Sequence, residues 1–144
     1  MKKALDRRVF ILGVLGQEFN AKLSCVGGHY QYLFTGDGIA VYFQNFNKPS
    51  KKLWFRLNKT PLEKLRGYEK AYVVFTNPPD NSYYMIPVAD IDEKRDEVNW
   101  ERDALEVNID HINGFWRELK WNILPYKKSL KKSNFRDFEE SVTE

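Results

Sequence analysis

Residues 51–60 read KKLWFRLNKT. Leu53, Phe55 and Leu57 alternate with Lys52, Trp54, Arg56 and Asn58, the period of two that puts one face of a β-strand on a core and the other in water. The strand is followed by TPLEKLRGYE, residues 60–69. Thr60 suits an N-cap, Pro61 sits where a first helical turn tolerates it, and Gly67 ends the run, so a short helix is predicted. KAYVVFTN, residues 70–77, is apolar and β-branched almost throughout and predicts a strand covered on both faces. PPDN turns the chain into SYYMIPVADI, a further strand after which Asp90 or Asp92 starts a turn or helix.

Upstream, Leu5, Val9, Leu12 and Phe19 fall at helical spacing, with Phe10, Val14 and Leu15 widening the stripe, which predicts a helix over residues 3–17. Gly13 and Gly16 lower its intrinsic propensity, and a close approach to a packed neighbour would account for them. Residues 21–26, 32–35 and 39–46 read as extended, and the TGDG at residues 35–38 marks a hairpin turn between the last two. NKPSKK is a second turn into residues 51–60. The expectation is an antiparallel meander preceded by a helix and sharing one sheet with the later apolar strands.

Downstream, residues 93–100 are highly charged, and ALEVNI, residues 104–109, alternates as an edge strand would. Asp110 suits the cap of a helix carrying Ile112, Phe115, Trp116, Leu119 and Ile123, ended by Pro125. YKKSLKKSNFRDF reads as a short helix or an arm. The organisation expected is a single domain, 1–144, with a core over about 3–92 and a helical extension over about 110–144.

At 144 residues, 42% hydrophobic and 15% aromatic, the chain can bury a sizeable core. The 30% of charged residues mix both signs, and the net charge of +3 permits an anionic partner without requiring one. One cysteine, Cys25, excludes an internal disulfide framework. The apolar run near the start is short and runs into Gln17 and Glu18, unlike a secretory signal, and no stretch has the length of a transmembrane helix. A soluble cytoplasmic protein with no membrane partner is expected. Cys25 and His29 share no helix face, His111 is remote in sequence, and no zinc set, P-loop or dinucleotide fingerprint is present.

The passage KLWFRLNKTPLEKLRGYEKAYVVFTNPPDNSYYMIPVADI, with the helix and meander before it, resembles the restriction-endonuclease-like, or PD-(D/E)XK, superfamily. The resemblance covers roughly the first two thirds of the chain. It implies an α/β fold, a central mixed sheet with flanking helices, and a role with DNA or RNA. In that family two carboxylates hold a hard divalent ion such as magnesium, and a lysine helps to activate water. On this pattern Asp37 is the candidate metal ligand and catalytic acid, and Lys59 the water-activating partner. Arg56 and Asn58 match the acid-or-glutamine and lysine positions, but an arginine cannot ligate magnesium and an asparagine carries no charge. A second register places Gln44 and Phe46 at those positions, again without the lysine. Asp37 equally suits a plain hairpin turn, and Arg56 and Asn58 a solvated sheet face.

Arginine forks around phosphate oxygens, so Arg56 and Asn58 are candidate nucleic-acid contacts. Lys127, Lys128, Lys131 and Lys132, followed by Arg136, form a basic run with the same potential, or a solvated tail. Trp54, Tyr83 and Trp121 are candidates for stacking unpaired bases. The rival class is an interaction module or accessory subunit, homodimeric through the segment around Phe115 and Trp116. Magnesium is implied only if the protein cuts.

Overall fold

The computed structural model describes residues 7–20, 22–28, 30–95 and 104–131. It contains helix α1 (Arg7–Glu18), strands β1 (Ser24–Gly27), β2 (Tyr30–Gly36), β3 (Ile39–Asn45) and β4 (Lys52–Asn58), helix α2 (Lys59–Leu65) and strands β5 (Lys70–Asn77) and β6 (Ser82–Pro87). Helix α3 (Val88–Arg95) follows, then β7 (Ala104–Asp110), β8 (Phe115–Trp116), β9 (Trp121–Asn122) and β10 (Lys127–Ser129). The fold is mixed α/β. One sheet runs β1-β2-β3-β5-β6-β10 and a second runs β4-β7-β8-β9. Only β3 and β5 pair in parallel; the other pairings are antiparallel.

Side-chain alternation assigns the layers. Leu33, Ala40, Val73, Phe75, Tyr84 and Ile86 leave one face of the first sheet and pack with Leu53, Phe55, Leu57, Val107, Ile109 and Trp116 of the second. Their neighbours in sequence, Phe34, Val41, Val74 and Tyr83, leave the other face and pack, with Phe43, under Phe10, Ile11 and Val14 of α1. The order is therefore α1, first sheet, second sheet, with Leu62 and Leu65 of α2 and Val88 and Ile91 of α3 closing the inner core. Phe75 joins the sheets: its ring centroid lies 4.8 Å from that of Phe55 and 5.7 Å from that of Trp116. Burying one such ring stabilises by about 2–3 kcal/mol.

Three expectations need correction. First, β4 has the predicted alternation, with Leu53, Phe55 and Leu57 buried and Lys52, Trp54, Arg56 and Asn58 exposed. It does not share the sheet of β1–β3, however. It pairs along its whole length with β7, from Lys52 opposite Asp110 to Asn58 opposite Ala104. A parallel β3–β5 pair needs a crossover, and here β4 and α2 together supply it. Strand β7 is accordingly flanked on both sides and is no edge strand.

Second, no helix spans 110–123. Asp110 Oδ1 accepts from the backbone N–H of Ile112 and Asn113, at 3.1 and 3.4 Å, and so caps a turn. Gly114 follows at φ +67°, a left-handed conformation that breaks any helix here. The chain then reverses twice, and Trp116, Leu119 and Ile123 reach the core from a small hairpin, while Ile112 and Phe115 are exposed.

Third, the basic segment after Pro125 starts as strand β10, paired with β6, Lys128 opposite Tyr83. Leu130 beyond it is buried against α1: a Cβ on Gly13 would stand 2.7 Å from Leu130 Cδ2. That contact is the close approach for which Gly13 is needed. Helix α2 begins two residues earlier than expected, with Asn58 rather than Thr60 at its N-cap. No described helix is long and apolar enough to cross a membrane.

Candidate nucleic-acid interface

Beside the end of β3, against β4 of the second sheet, lies a recess of about 630 Å³. One wall is β3 with its exit loop, carrying Tyr42, Gln44 and Lys48; the other is β4, carrying Trp54 and Arg56; Arg7 of α1 and Tyr32 of β2 complete it. The exit loop is fixed from beneath. Asn77, 1% exposed, donates through Nδ2 to the carbonyls of Phe46 at 2.6 Å and Lys48 at 3.0 Å. Thr76 Oγ1 donates to Asn45 Oδ1 at 2.8 Å. Gln44 Nε2 donates to the Arg56 carbonyl and ties the two walls together.

The polar side chains of the recess are cationic, amide and phenolic. Arg7, Lys48 and Arg56 line it, and among the described residues no carboxylate does. Arg7 donates to the Tyr32 hydroxyl at 2.9 Å, with its guanidinium carbon 5.4 Å from the Tyr32 ring centroid, an arrangement that holds the cation at the mouth. Trp54 is 50% exposed, and its indole N–H donates to Glu106 Oε2 at 2.6 Å. Glu106 also stands directly across from Arg56 in the β4–β7 pair, so one acid borders the recess from outside.

Of the residues singled out in the sequence, Arg56, Trp54, Gln44 and Phe46 meet here. Asp37 does not. It occupies the β2–β3 hairpin turn at φ 53°, two residues before β3 begins and at the opposite end of that strand from the recess. From that turn to Gln44 the chain runs five residues along β3, about 17 Å at strand rise. Lys59 opens α2 and points back on its own helix, its Nζ 3.9 Å from Glu63 Oε1. Asn58 is exposed at the end of β4. Lys127, Lys128 and Lys131 lie on or beside β10, the far edge of the first sheet, with β5 and β6 between it and β3, a separation of about 14 Å at ordinary strand spacing. Lys128 is further engaged, its Nζ 2.7 Å from Glu18 Oε1. Lys132 and Arg136 fall outside the described residues. Tyr83 is wholly buried and Trp121 stacks on buried Trp116 at 6.0 Å, so neither offers a face to a base. Arg7, Tyr32, Tyr42 and Lys48 went unremarked in the sequence, where nothing sets an arginine opening a helix or a tyrosine within a strand apart from its neighbours.

Magnesium does not fit this recess. It takes oxygen ligands and is held by one or two carboxylates, whereas the lining supplies cations and neutral amides. Among the described residues no three His, Cys, Asp or Glu side chains are grouped to hold a metal ion.

A second polar cluster joins buried Ser82, Tyr84 and His111 to Asp80, whose side chain is half exposed. His111, 7% exposed, has Nε2 2.6 Å from Asp80 Oδ2 and 3.3 Å from Ser82 Oγ, and Nδ1 2.8 Å from the Tyr84 hydroxyl. Serine, histidine and aspartate together suggest a nucleophile relay, but a relay needs the imidazole's two nitrogens on opposite duties, one facing the serine and one the acid. Here Nε2 faces both, Nδ1 is taken by Tyr84, and Ser82 is 2% exposed. The cluster is a clamp that fixes β6 to the end of β7. Burial pushes the Asp80 carboxyl up, and hydrogen bonds to His111 and Ser82 more than offset it, leaving it below the ordinary 3.8. Burial first, then the charges of Asp80 and Asp110, push the Tyr84 hydroxyl up to about 12.

The chain matches no protein-family model, no curated protein and no solved structure.

Proposed function

We propose that the protein is nucleic-acid-associated, with a restriction-endonuclease-like core whose hydrolytic site has been replaced by a binding recess. The element order supports the kinship: α1, the meander β1–β2–β3, then α2 and the strand β5 beside β3. On this reading β4 is an insertion that founds the second sheet, and the third meander strand is β3. Gln44 then takes the acid-or-glutamine position and Phe46 stands where the lysine belongs. Gln44 lies in the recess, which lacks the carboxylates that hydrolysis by this family's chemistry requires. Asp37 and Lys59, the residues best placed in sequence for catalysis, line none of it.

The observation that carries the proposal is the meeting of Arg7, Lys48 and Arg56 with exposed Trp54 around one recess that no described carboxylate lines, Glu106 standing at its border. Arginines recruit phosphates by releasing condensed counterions, and their binding falls with salt accordingly. Fluorescence anisotropy with labelled oligonucleotides at low salt tests it. The wild type binds, the double variant Arg7→Gln/Arg56→Gln binds at least about tenfold more weakly, and no cleavage accompanies binding in magnesium or manganese. Absence of binding at low salt refutes the proposal. The homodimer reading is weaker: Trp116, half of its expected interface, is wholly buried, leaving Phe115 with Ile112 and Leu124 exposed.

A further inference from the structure

We propose that the recess takes a single strand, with an unpaired base stacked on the face of Trp54 and the flanking phosphates on Arg7, Lys48 and Arg56. The inference rests on the nucleic-acid reading and goes beyond it in naming the form of the ligand.

Shape is the first argument. Proteins read a duplex by placing a helix or a β-ribbon in its major groove, which is about 12 Å wide. The three cations here stand around one recess on α1, the loop after β3 and β4, not along a single helix or ribbon laid out to enter a groove. A flexible single strand can follow such an arrangement.

The second argument is Trp54. Trp54 stands half exposed on the outer face of β4, at the edge of the recess. Its indole N–H is satisfied by Glu106, so the ring needs no edge partner from a ligand. What remains to be met is its π-face, which every unpaired base can meet and a base within a duplex cannot. Tyr32 and Tyr42 line the same recess. Arg7 is already braced against Tyr32, so its guanidinium is ordered before a phosphate arrives.

Electrostatics alone predicts the opposite preference. Duplex carries the higher charge density, and each neutralised phosphate gives a steeper salt slope on duplex than on a single strand. A preference for single strands at equal salt therefore reports stacking and shape.

The test compares a labelled single-stranded 20-mer, as DNA and as RNA, with the blunt duplex of the same sequence at one ionic strength. Wild type binds at least one single-stranded form about tenfold or more tighter than the duplex. Trp54→Ala loses about tenfold on that single strand and changes duplex binding little, while Trp54→Phe, which keeps a ring, recovers part of the loss. Trp54 is on the solvent face, so neither variant threatens the fold, and circular dichroism confirms this. Duplex binding equal to or tighter than single-strand binding overturns the inference and leaves the nucleic-acid reading standing, as does a Trp54→Ala variant indistinguishable from wild type. Failure to bind either form removes both.

Discussion

Replacing Tyr84 by phenylalanine tests whether the His111 cluster is the clamp described. The ring is wholly buried and packs on His111 with centroids 5.7 Å apart, so its removal to phenylalanine opens no cavity. Only the hydroxyl goes. Its 2.8 Å bond to Nδ1 is lost, and an imidazole nitrogen that is 93% enclosed with its residue is left without a partner. Orphaning a buried polar group costs about 1–3 kcal/mol, and the lower part of that range, about 1.5, is the expectation because the group removed is a neutral hydroxyl. In urea, with a slope of about 2 kcal/mol per molar for a domain of this size, the midpoint falls by about 0.7 M. Equilibrium unfolding followed by tryptophan fluorescence and by circular dichroism gives the value, and coincidence of the two probes establishes the two-state condition. A midpoint within about 0.2 M of wild type, at unchanged slope, would show that the hydroxyl does not hold the histidine and would refute the clamp.

Two further perturbations are specific. Gly114→Ala places a side chain at φ +67°, with its Cβ 2.8 Å from Leu124 Cβ and 2.9 Å from Leu124 Cα, and lowers stability by about 2–4 kcal/mol; Gly67→Ala, whose nearest such neighbour is the Lys64 carbonyl at 3.8 Å, stays within about 0.5 kcal/mol in the same thermal melts. Asp80→Asn is destabilising at neutral pH. Because the folded pKa of Asp80 lies below the ordinary 3.8, its contribution is present above that value and vanishes as pH falls through the folded pKa, so the wild-type and Asp80→Asn stability curves converge below about pH 3.8 and stay apart above it.

The parts of the fold legible in the sequence were those written in local periodicity. Strands β2 to β6, α1 and α2 stand where alternation, helical spacing and the TGDG turn put them, within a few residues. What local pattern does not carry is the choice of partner. Nothing within KLWFRLN says that its hydrogen bonds go to β7, whose residues lie about fifty positions later, rather than to β3 next door. The segment after Asp110 misled for another reason. Ile112, Phe115, Trp116, Leu119 and Ile123 have helical spacing, yet Asn113–Gly114 is a strong hairpin signal, and the left-handed glycine overrides the spacing. The binding recess was half legible. Arg56, Trp54 and Gln44 drew attention as strand residues, whereas Arg7 and Lys48 join them only because α1 crosses the sheet and Asn77 fastens the exit loop.

The salt dependence of single-strand binding tests the central claim most directly. Three cations on three phosphates predict a slope of about −2 in log K against log salt, at about −0.7 per contact, and Arg56→Gln brings it to about −1.4 with weaker binding at every salt concentration. A slope near zero, or one that Arg56→Gln leaves unchanged, would contradict the assignment of this recess to nucleic acid.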